Sequence, residues 1–371
     1  MRPEFVFVLE QSLGGGVYGA RLERSVAADR RVSSTFIRVA PTHSGPTRHI
    51  PGLANHTLQT SWQTRSALRR RPRGTPIDAL FIHTQCASLL ARDMIRTVPT
   101  VISMDATPAN YDRLGAAYHH RRQGWLAESV KLRIYQALFG TAAALITWSW
   151  WAAESLVNDY GVAAEKVHVI RPGVDLSRFS PRPRRLEGPV RVLFVGGDLV
   201  RKGGTDLLEA MALIGDRAEC DLVTTAAPRH IPRGARVRVH QGIAADSPEL
   251  IELYRRADIF ALPTRGECYG HVIVEAMACA LPVVTCPVGA VPELVSDGDN
   301  GLLVPPASPE ALAVALGTLI DHPELRHVIG SRNLEKAWAE HDELRSHSSV
   351  VEVMTKVARR DERVRAGTAV A

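Results

Sequence analysis

The chain has 371 residues, 45% of them hydrophobic and 23% charged, with a formal net charge of +6. At roughly 150 residues per domain that length suggests two domains, and the composition excludes a disordered tail protein, a collagen-like fibre and a disulfide mini-protein. Residues 1–180 carry 22 Lys and Arg against 13 Asp and Glu, and the remainder 23 against 26, so the first half presents either a solvated basic surface or a face for an anionic partner.

Phe5–Leu9 is a short apolar run between Glu4 and Glu10 and reads as a first strand, not a signal peptide. A glycine loop at Gly14–Gly16 follows, then a helix over Tyr18–Ala28. Phe36–Val39, Ala79–His83, Thr100–Met104, Ala144–Thr147 and Val167–Ile170 are the next strands. Trp148, Trp150 and Trp151 follow one of them and read as packing residues. The segment Pro172–Pro189, rich in Pro and Arg, is the domain junction.

The second half is more regular. Val190–Val195 is a buried-strand run, and Thr205 caps a helix behind it. Asp221–Thr225, Val237–His240, Asp258–Leu262 and Val283–Thr285 are strands. Ser247-Pro248-Glu249 and Ser308-Pro309-Glu310 open helices, with Ser as cap and Pro in the first turn. Asp297, Asp299 and Asn300 lie in a hairpin-like turn explained by its glycines. Alternating strands and ten-residue helices predict parallel, doubly wound α/β sheets. The expected partition is 1–176, 177–342 and a charged helix over 343–371 that packs back on the first domain or trails from the second.

Ligands of such sheets bind at the carboxyl ends of the strands, beside helix N-termini. Two loops there carry unusual residues. Gly196–Gly204 holds Arg201 and Lys202 between glycines, a loop able to set two cations on a diphosphate; its bland alternative is a glycine turn with exposed basic residues. Pro263–His271 carries Glu267 and runs into a helix bearing Glu275. A carboxylate in that loop can accept from sugar hydroxyls, and one on the helix can grip the vicinal hydroxyls of a ribose.

The string PTRGECYGHVIVEAMACALPVVTCPVGAVPELVSDGDNGLLVPP resembles the E-x7-E segment of retaining GT-B glycosyltransferases of family 4. GVAAEKVHVIRPGVDLSRF is similar to their interdomain signature, and DALFIHTQCASLL to the segment where they carry a cleft histidine. The resemblance implies two Rossmann-like doubly wound domains facing a central cleft. It also implies transfer of a sugar from a nucleotide-sugar donor to an acceptor hydroxyl with retention, in glycan, glycolipid or glycoconjugate synthesis. It assigns Glu267 to the transferred sugar, Glu275 to the ribose, and Tyr269, Gly270, His271 and Val272 to diphosphate and sugar contacts. Lys202 matches the phosphate-binding lysine; Gly197 stands where an arginine is usual, and Arg201 is the substitute. His83 falls on a cleft histidine, Asp105 replaces another on the acceptor side, and Gly15 and Gly16 match the loop over the donor phosphates. No metal or other cofactor is expected, because Arg201, Lys202 and helix N–H dipoles would stabilise the leaving group. Lys202→Ala is expected to lower turnover strongly while leaving the fold intact.

Competing readings are a sugar-nucleotide epimerase or hydrolase on the same fold and a non-catalytic sugar-nucleotide-binding protein. Gly14–Gly19 is a literal G-x-G-x-x-G, but it lies too far from its strand for a dinucleotide fingerprint and has no acidic residue at the ribose-binding distance. Arg69–Arg73 lacks the aromatic platform of a nucleic-acid site. His119–Arg122 followed by Trp125, Leu126, Val130 and Ile134 reads either as a helix packed on its sheet or as a basic amphipathic segment that contacts anionic membrane. Five scattered cysteines without a CxxC pair, and the lack of an apolar run near ~18 residues, give the expectation of a soluble cytoplasmic protein.

Overall fold

The computed structural model describes residues 2–12, 15–41, 55–72, 75–118, 124–182 and 188–368, without the side chains of 116 and 363–368. Gly14, Arg73, His119–Arg122 and 183–187 of the junction lie outside the described residues. The chain forms two compact units. One gathers Met1–Ala109, Arg122–Pro172 and Leu344–Ala371; the other gathers Asn110–Arg121 and Gly173–Glu343.

The first unit holds the strands Glu4–Glu10 (β1), Ser33–Val39 (β2), Ala79–His83 (β3), Thr100–Met104 (β4), Ala144–Thr147 (β5) and Val167–Val169 (β6). They pair in the order β2-β1-β3-β4-β5-β6, every pairing parallel. A parallel sheet carries helices on both faces, so its strands are apolar throughout instead of alternating. Accordingly, Phe5 to Leu9 are fully buried, as are Leu80 to Ile82. Val6, Val8, Leu80, Ile82, Ile102 and Leu145 form one core with Leu138 and Phe139 from the helix Trp125–Thr141.

The second unit holds Val190–Val195 (β7), Ala218–Val223 (β8), Val237–His240 (β9), Ile259–Leu262 (β10), Val283–Thr285 (β11) and Gly301–Leu303 (β12). Their order is β12-β11-β10-β7-β8-β9, again all parallel. The chain starts in mid-sheet, adds β8 and β9 on one side, then returns to lay β10 to β12 on the other. The order therefore reverses between β7 and β10, and in the first unit between β1 and β3. Crevices outside the carboxyl ends at such reversals are where open α/β sheets bind ligands.

Several local expectations need correction. The helix Gly204–Ile214 is entered through Gly203 (φ 74°), so Thr205 lies in its first turn and is not the cap. Ser247 accepts from the Leu250 N–H as expected of a cap, whereas Ser308 makes no such bond. β8 begins three residues before the expected Asp221, because Ala218 to Val223 match Val190 to Val195 in register. The first helix spans Gly15–Ala27, so Gly15 and Gly16 are its first residues and not a loop. Asn300 is a buried anchor: its Nδ2 donates to Asn333 Oδ1 at 2.9 Å and to the Leu294 carbonyl at 2.8 Å, and the strand β12 starts directly behind it.

Candidate functional site

In the second unit, β7 and β10 are neighbours, so the loops leaving their carboxyl ends meet. The Arg265 N–H donates to the Arg201 carbonyl at 2.8 Å, and Thr264 Oγ1 to the same carbonyl at 3.3 Å. Close approach is possible because residue 203 is glycine: a Cβ there would stand 1.9 Å from the Pro263 carbonyl oxygen. Arg265 then ties its loop to the helix behind β7 through Asp206, with Nη2–Oδ1 at 2.6 Å.

The joined loops bring the two expected residues together. Lys202 Nζ donates to Glu267 Oε2, and both side chains are largely buried. Arg201 sits beside them, its Nη1 donating to the Gly266 carbonyl at 3.0 Å. Neither cation of the Gly196–Gly204 loop stands exposed in a glycine turn. An ammonium has three N–H donors, so Lys202 can hold Glu267 and still donate to an anion. Gly197 is exposed at the loop's start, its carbonyl accepting from Thr225 Oγ1 at 2.6 Å.

Gly270, in the left-handed conformation, caps the helix His271–Ala278. The helix opens on His271 and Val272, both half-buried, and the Ile273 N–H donates back to the Gly270 carbonyl at 2.9 Å. Glu275 lies one turn on and is buried, and Tyr254 Oη donates to its Oε2 at 2.9 Å. Tyr269 is buried and does not present its ring to solvent; its hydroxyl lies 3.3 Å from Nδ1 of the buried His341.

Sequence reasoning missed two contributors. Tyr118, from the segment Asn110–Arg121, lays its ring under Arg201 with the guanidinium carbon 4.6 Å from the ring centroid. Its hydroxyl accepts from Arg201 Nη1 at 3.3 Å and meets Cys268 Sγ at 3.4 Å. Burial pushes the Tyr118 phenol far up, so it stays protonated. No spacing rule joins residues 118 and 201, so nothing in the sequence marks the pair. The second is Gly289 (φ 57°), where a Cβ would stand 1.8 Å from the Glu267 carbonyl oxygen. The quoted motif contains it, and its crowding against Glu267 is visible only in three dimensions.

In the first unit, the reversal between β1 and β3 gathers a second group. His83 ends β3, is buried, and stacks on Trp148 with ring centroids 5.3 Å apart. Burial pushes its imidazole down to about 4, so it is neutral at physiological pH. Gly15 adjoins it: a methyl there would meet His83 Nε2 at 3.3 Å. Gly16 follows in the same first turn. Asp105 directly follows β4 and is half-buried. Trp148 is buried, in keeping with packing, while Trp150 is exposed.

A family model described as "Glycosyl transferases group 1" matches residues 189–322, and one described as "Glycosyltransferase Family 4" matches residues 18–178. The D-inositol 3-phosphate glycosyltransferase of Jonesia denitrificans is 34% identical over 213 residues, 50% of this chain and 50% of that one. The MMP alpha-(1->4)-mannosyltransferase of Mycolicibacterium hassiacum is 30% identical over 204 residues, 52% of this chain and 49% of its own. The chain thus spans about half the length of the curated relatives it matches. Among solved structures, the sucrose-phosphate synthase of Thermosynechococcus elongatus superposes with a TM-score of 0.75 at 19% identity, covering 96% of this chain and 99% of that one. HepE of Anabaena, in complex with UDP and glucose, gives 0.70 at 19% identity, covering 96% and 100%. These likenesses are of fold, and with two six-stranded parallel sheets they show the GT-B class.

Proposed function

This chain belongs to the group 1, family 4 glycosyltransferases, and from that premise we propose that it moves a glycosyl group from a nucleotide-sugar donor to an acceptor hydroxyl with retention at the anomeric carbon and without a metal. The observation that carries the reading is the cation pair Arg201–Lys202 beside Glu267 at the reversal between β7 and β10. The donor class is supported by HepE, a protein of the same fold described with UDP and glucose.

The chemistry follows from charge. As the glycosidic bond to the diphosphate breaks, negative charge grows on the leaving oxygens and positive charge on the sugar. Lys202 and Arg201, with the N–H groups at the start of His271–Ala278, stabilise the departing diphosphate in the way a divalent ion does elsewhere. Glu267, bound through one oxygen, offers the other to sugar hydroxyls and places a carboxylate near the developing cation. Glu275 would take the ribose hydroxyls, with Tyr254 fixing its orientation. In the first unit, the neutral His83 would serve sugar binding and Asp105 the acceptor.

Peripheral contact with an anionic membrane belongs to the same proposal. The helix Trp125–Thr141 buries Tyr135, Leu138 and Phe139 and leaves Trp125, Leu126, Val130 and Ile134 exposed. It packs on its sheet and carries an apolar outer face, and that face is what supports the membrane reading. Among the described residues no helix is long and apolar enough to cross a membrane. With five free cysteines, the proposed working place is the cytoplasmic side.

A melting panel of UDP-, GDP-, ADP- and dTDP-sugars tests the donor, since a ligand that binds only the folded chain stabilises it by mass action. The donor that shifts the melt should then be hydrolysed slowly, and transferred when an acceptor is found, with the anomeric coupling of the donor kept and the rate insensitive to EDTA. No shift with any nucleotide sugar defeats the proposal; inverted product or EDTA-sensitive turnover removes retention or metal independence.

A further inference from the structure

The carboxyl end of the first unit's sheet carries a pile of rings around His83. Successive side chains of a strand alternate between faces, and His83, Ser103 and Ile146 are register partners on β3, β4 and β5, so they share one face. Trp148 lies two residues beyond Ile146, and its N–H donates to the Met104 carbonyl at 3.2 Å, which carries the ladder one step past β5. Trp148 therefore returns to the face of His83. The two rings stack, with centroids 5.3 Å apart and planes 13° from parallel. Tyr18, from the helix Gly15–Ala27, packs on both, 4.9 Å from the His83 centroid and 4.8 Å from that of Trp148. His347, on the helix Glu343–Thr368, meets Tyr18 edge-on at 6.1 Å, and its Nδ1 lies 2.8 Å from Ser25 Oγ on Tyr18's own helix. All four rings are buried.

We propose that Trp148 and Tyr18 are positioning residues: together they hold the His83 ring with Nε2 at the first turn of the helix Gly15–Ala27, placed to meet a sugar hydroxyl. The proposal rests on the reading of His83 as a sugar-binding residue. A functional histidine is ordinarily oriented by a hydrogen bond on its second ring nitrogen. His83 Nδ1 is buried without such a partner among the described residues, so the orientation falls to the rings packed on it. Aromatic pairs favour defined geometries beyond the area that they bury. At the other edge of the ring, a methyl on Gly15 would meet His83 Nε2 at 3.3 Å and Glu10 Oε2 at 3.5 Å. Glycine at that residue therefore keeps a side chain from covering the nitrogen. His347 braces the pile from behind, because it touches Tyr18 and is tied to the same helix through Ser25.

The full-length chain with ring-labelled histidine, read by NMR, gives an arm that needs no substrate. The His83 signal, assigned by its loss in His83→Gln, should lie upfield under the ring current of Trp148. It should stay there in Trp148→Phe and move to the ordinary histidine range in Trp148→Leu. The kinetic arm uses whichever nucleotide sugar gives the largest melting shift in the UDP-, GDP-, ADP- and dTDP-sugar panel. Trp148→Leu should lower kcat/KM about tenfold, and Trp148→Phe should restore most of it. Trp148→Leu combined with His83→Gln should be no worse than His83→Gln alone, because losses that act through one ring do not add. Tyr18→Leu should follow Trp148→Leu, and carries the same comparisons if Trp148→Leu does not fold. Additive losses, or an unmoved His83 signal in Trp148→Leu, overturn the proposal. An impaired His83→Gln beside an unimpaired Trp148→Leu overturns it alone, whereas full turnover in His83→Gln removes the sugar-binding reading and this proposal with it.

Discussion

Lys202 and Glu267 lie 65 residues apart and share a hydrogen-bonded ion pair with 14% and 8% of their side chains exposed. Removing one partner of a buried pair leaves the other uncompensated, at about 3 kcal/mol. Lys202→Ala should therefore lower turnover by at least ~100-fold, as loss of a group facing developing charge does, and should also lower the melt. That departs from the expectation of an intact fold. Adding Glu267→Gln to Lys202→Ala should recover much of the melting temperature and none of the turnover. An unchanged melt in the single variant would show that the pair does not hold the two loops.

Tyr118 positions Arg201 by stacking and by its hydroxyl. A desolvated cation–π contact is worth about 1 to 2 kcal/mol, so Tyr118→Ala should cut kcat/KM about tenfold, whereas Tyr118→Phe, which keeps the ring, should lose only a few-fold. Steady-state kinetics with both variants checks this. Equal losses would assign the work to the hydroxyl alone.

Much of this was legible beforehand and some was not. The parallel strands were readable because strands buried on both faces are continuous apolar runs, as at Val190–Val195. β12 was not, since Gly301–Leu303 is three residues long and its neighbour Asn300 looks like turn material until Asn333 is found opposite. Glu267, Lys202 and Arg201 stood out because each follows a strand. Tyr118 and Gly289 matter through contacts at long sequence separation, which no local pattern encodes.

Gly289 gives a steric prediction. Its positive φ and the 1.8 Å approach of the Glu267 carbonyl leave no room for a side chain. Gly289→Ala should displace the Glu267 loop, lower the melt by several degrees and abolish any donor-induced shift. Alanine at Gly317, inside the helix Pro309–Asp321 where a Cβ meets nothing within 4 Å, is the control; it should hold or slightly raise the melt and leave the donor-induced shift in place.

Two buried histidines set an acid limit on the first unit. Burial pushes His83 down to about 4, and burial with nearby Arg21 and Arg24 pushes His347 to about 3. Unfolded, both titrate near 6.5, so on acidification the unfolded chain takes up protons first. The stability each contributes is complete above about pH 6.5 and is lost as pH falls through its folded value, roughly 3 to 5 kcal/mol apiece. His56 is raised instead, to about 10, so its contribution is complete below about pH 6.5, is lost only as pH rises toward 10, and leaves the acid limb unchanged. Urea melts between pH 4 and 7 should show stability rising with pH, with a shallower slope in His83→Gln. A flat profile contradicts the burial of both rings.

The outer face of Trp125–Thr141 predicts sedimentation with vesicles containing anionic lipid, weakened as salt rises because screening shortens to about 8 Å at physiological ionic strength. Trp125→Ala with Leu126→Ser should abolish it and leave the melt unchanged, since both side chains are exposed. Binding that ignores both salt and these changes would place the contact elsewhere.

The first unit is completed by residues from Leu344 onward: Ser346 Oγ donates to the Arg171 carbonyl at 2.7 Å, and His347 Nδ1 lies 2.8 Å from Ser25 Oγ. On the ribosome, that unit's sheet is complete by Val169 and then waits, its closing helix still unmade, while Gly173–Glu343 of the other unit is translated. Shortening the protein from its tail therefore injures the half built from the head, and no single proteolytic nick can release either half intact.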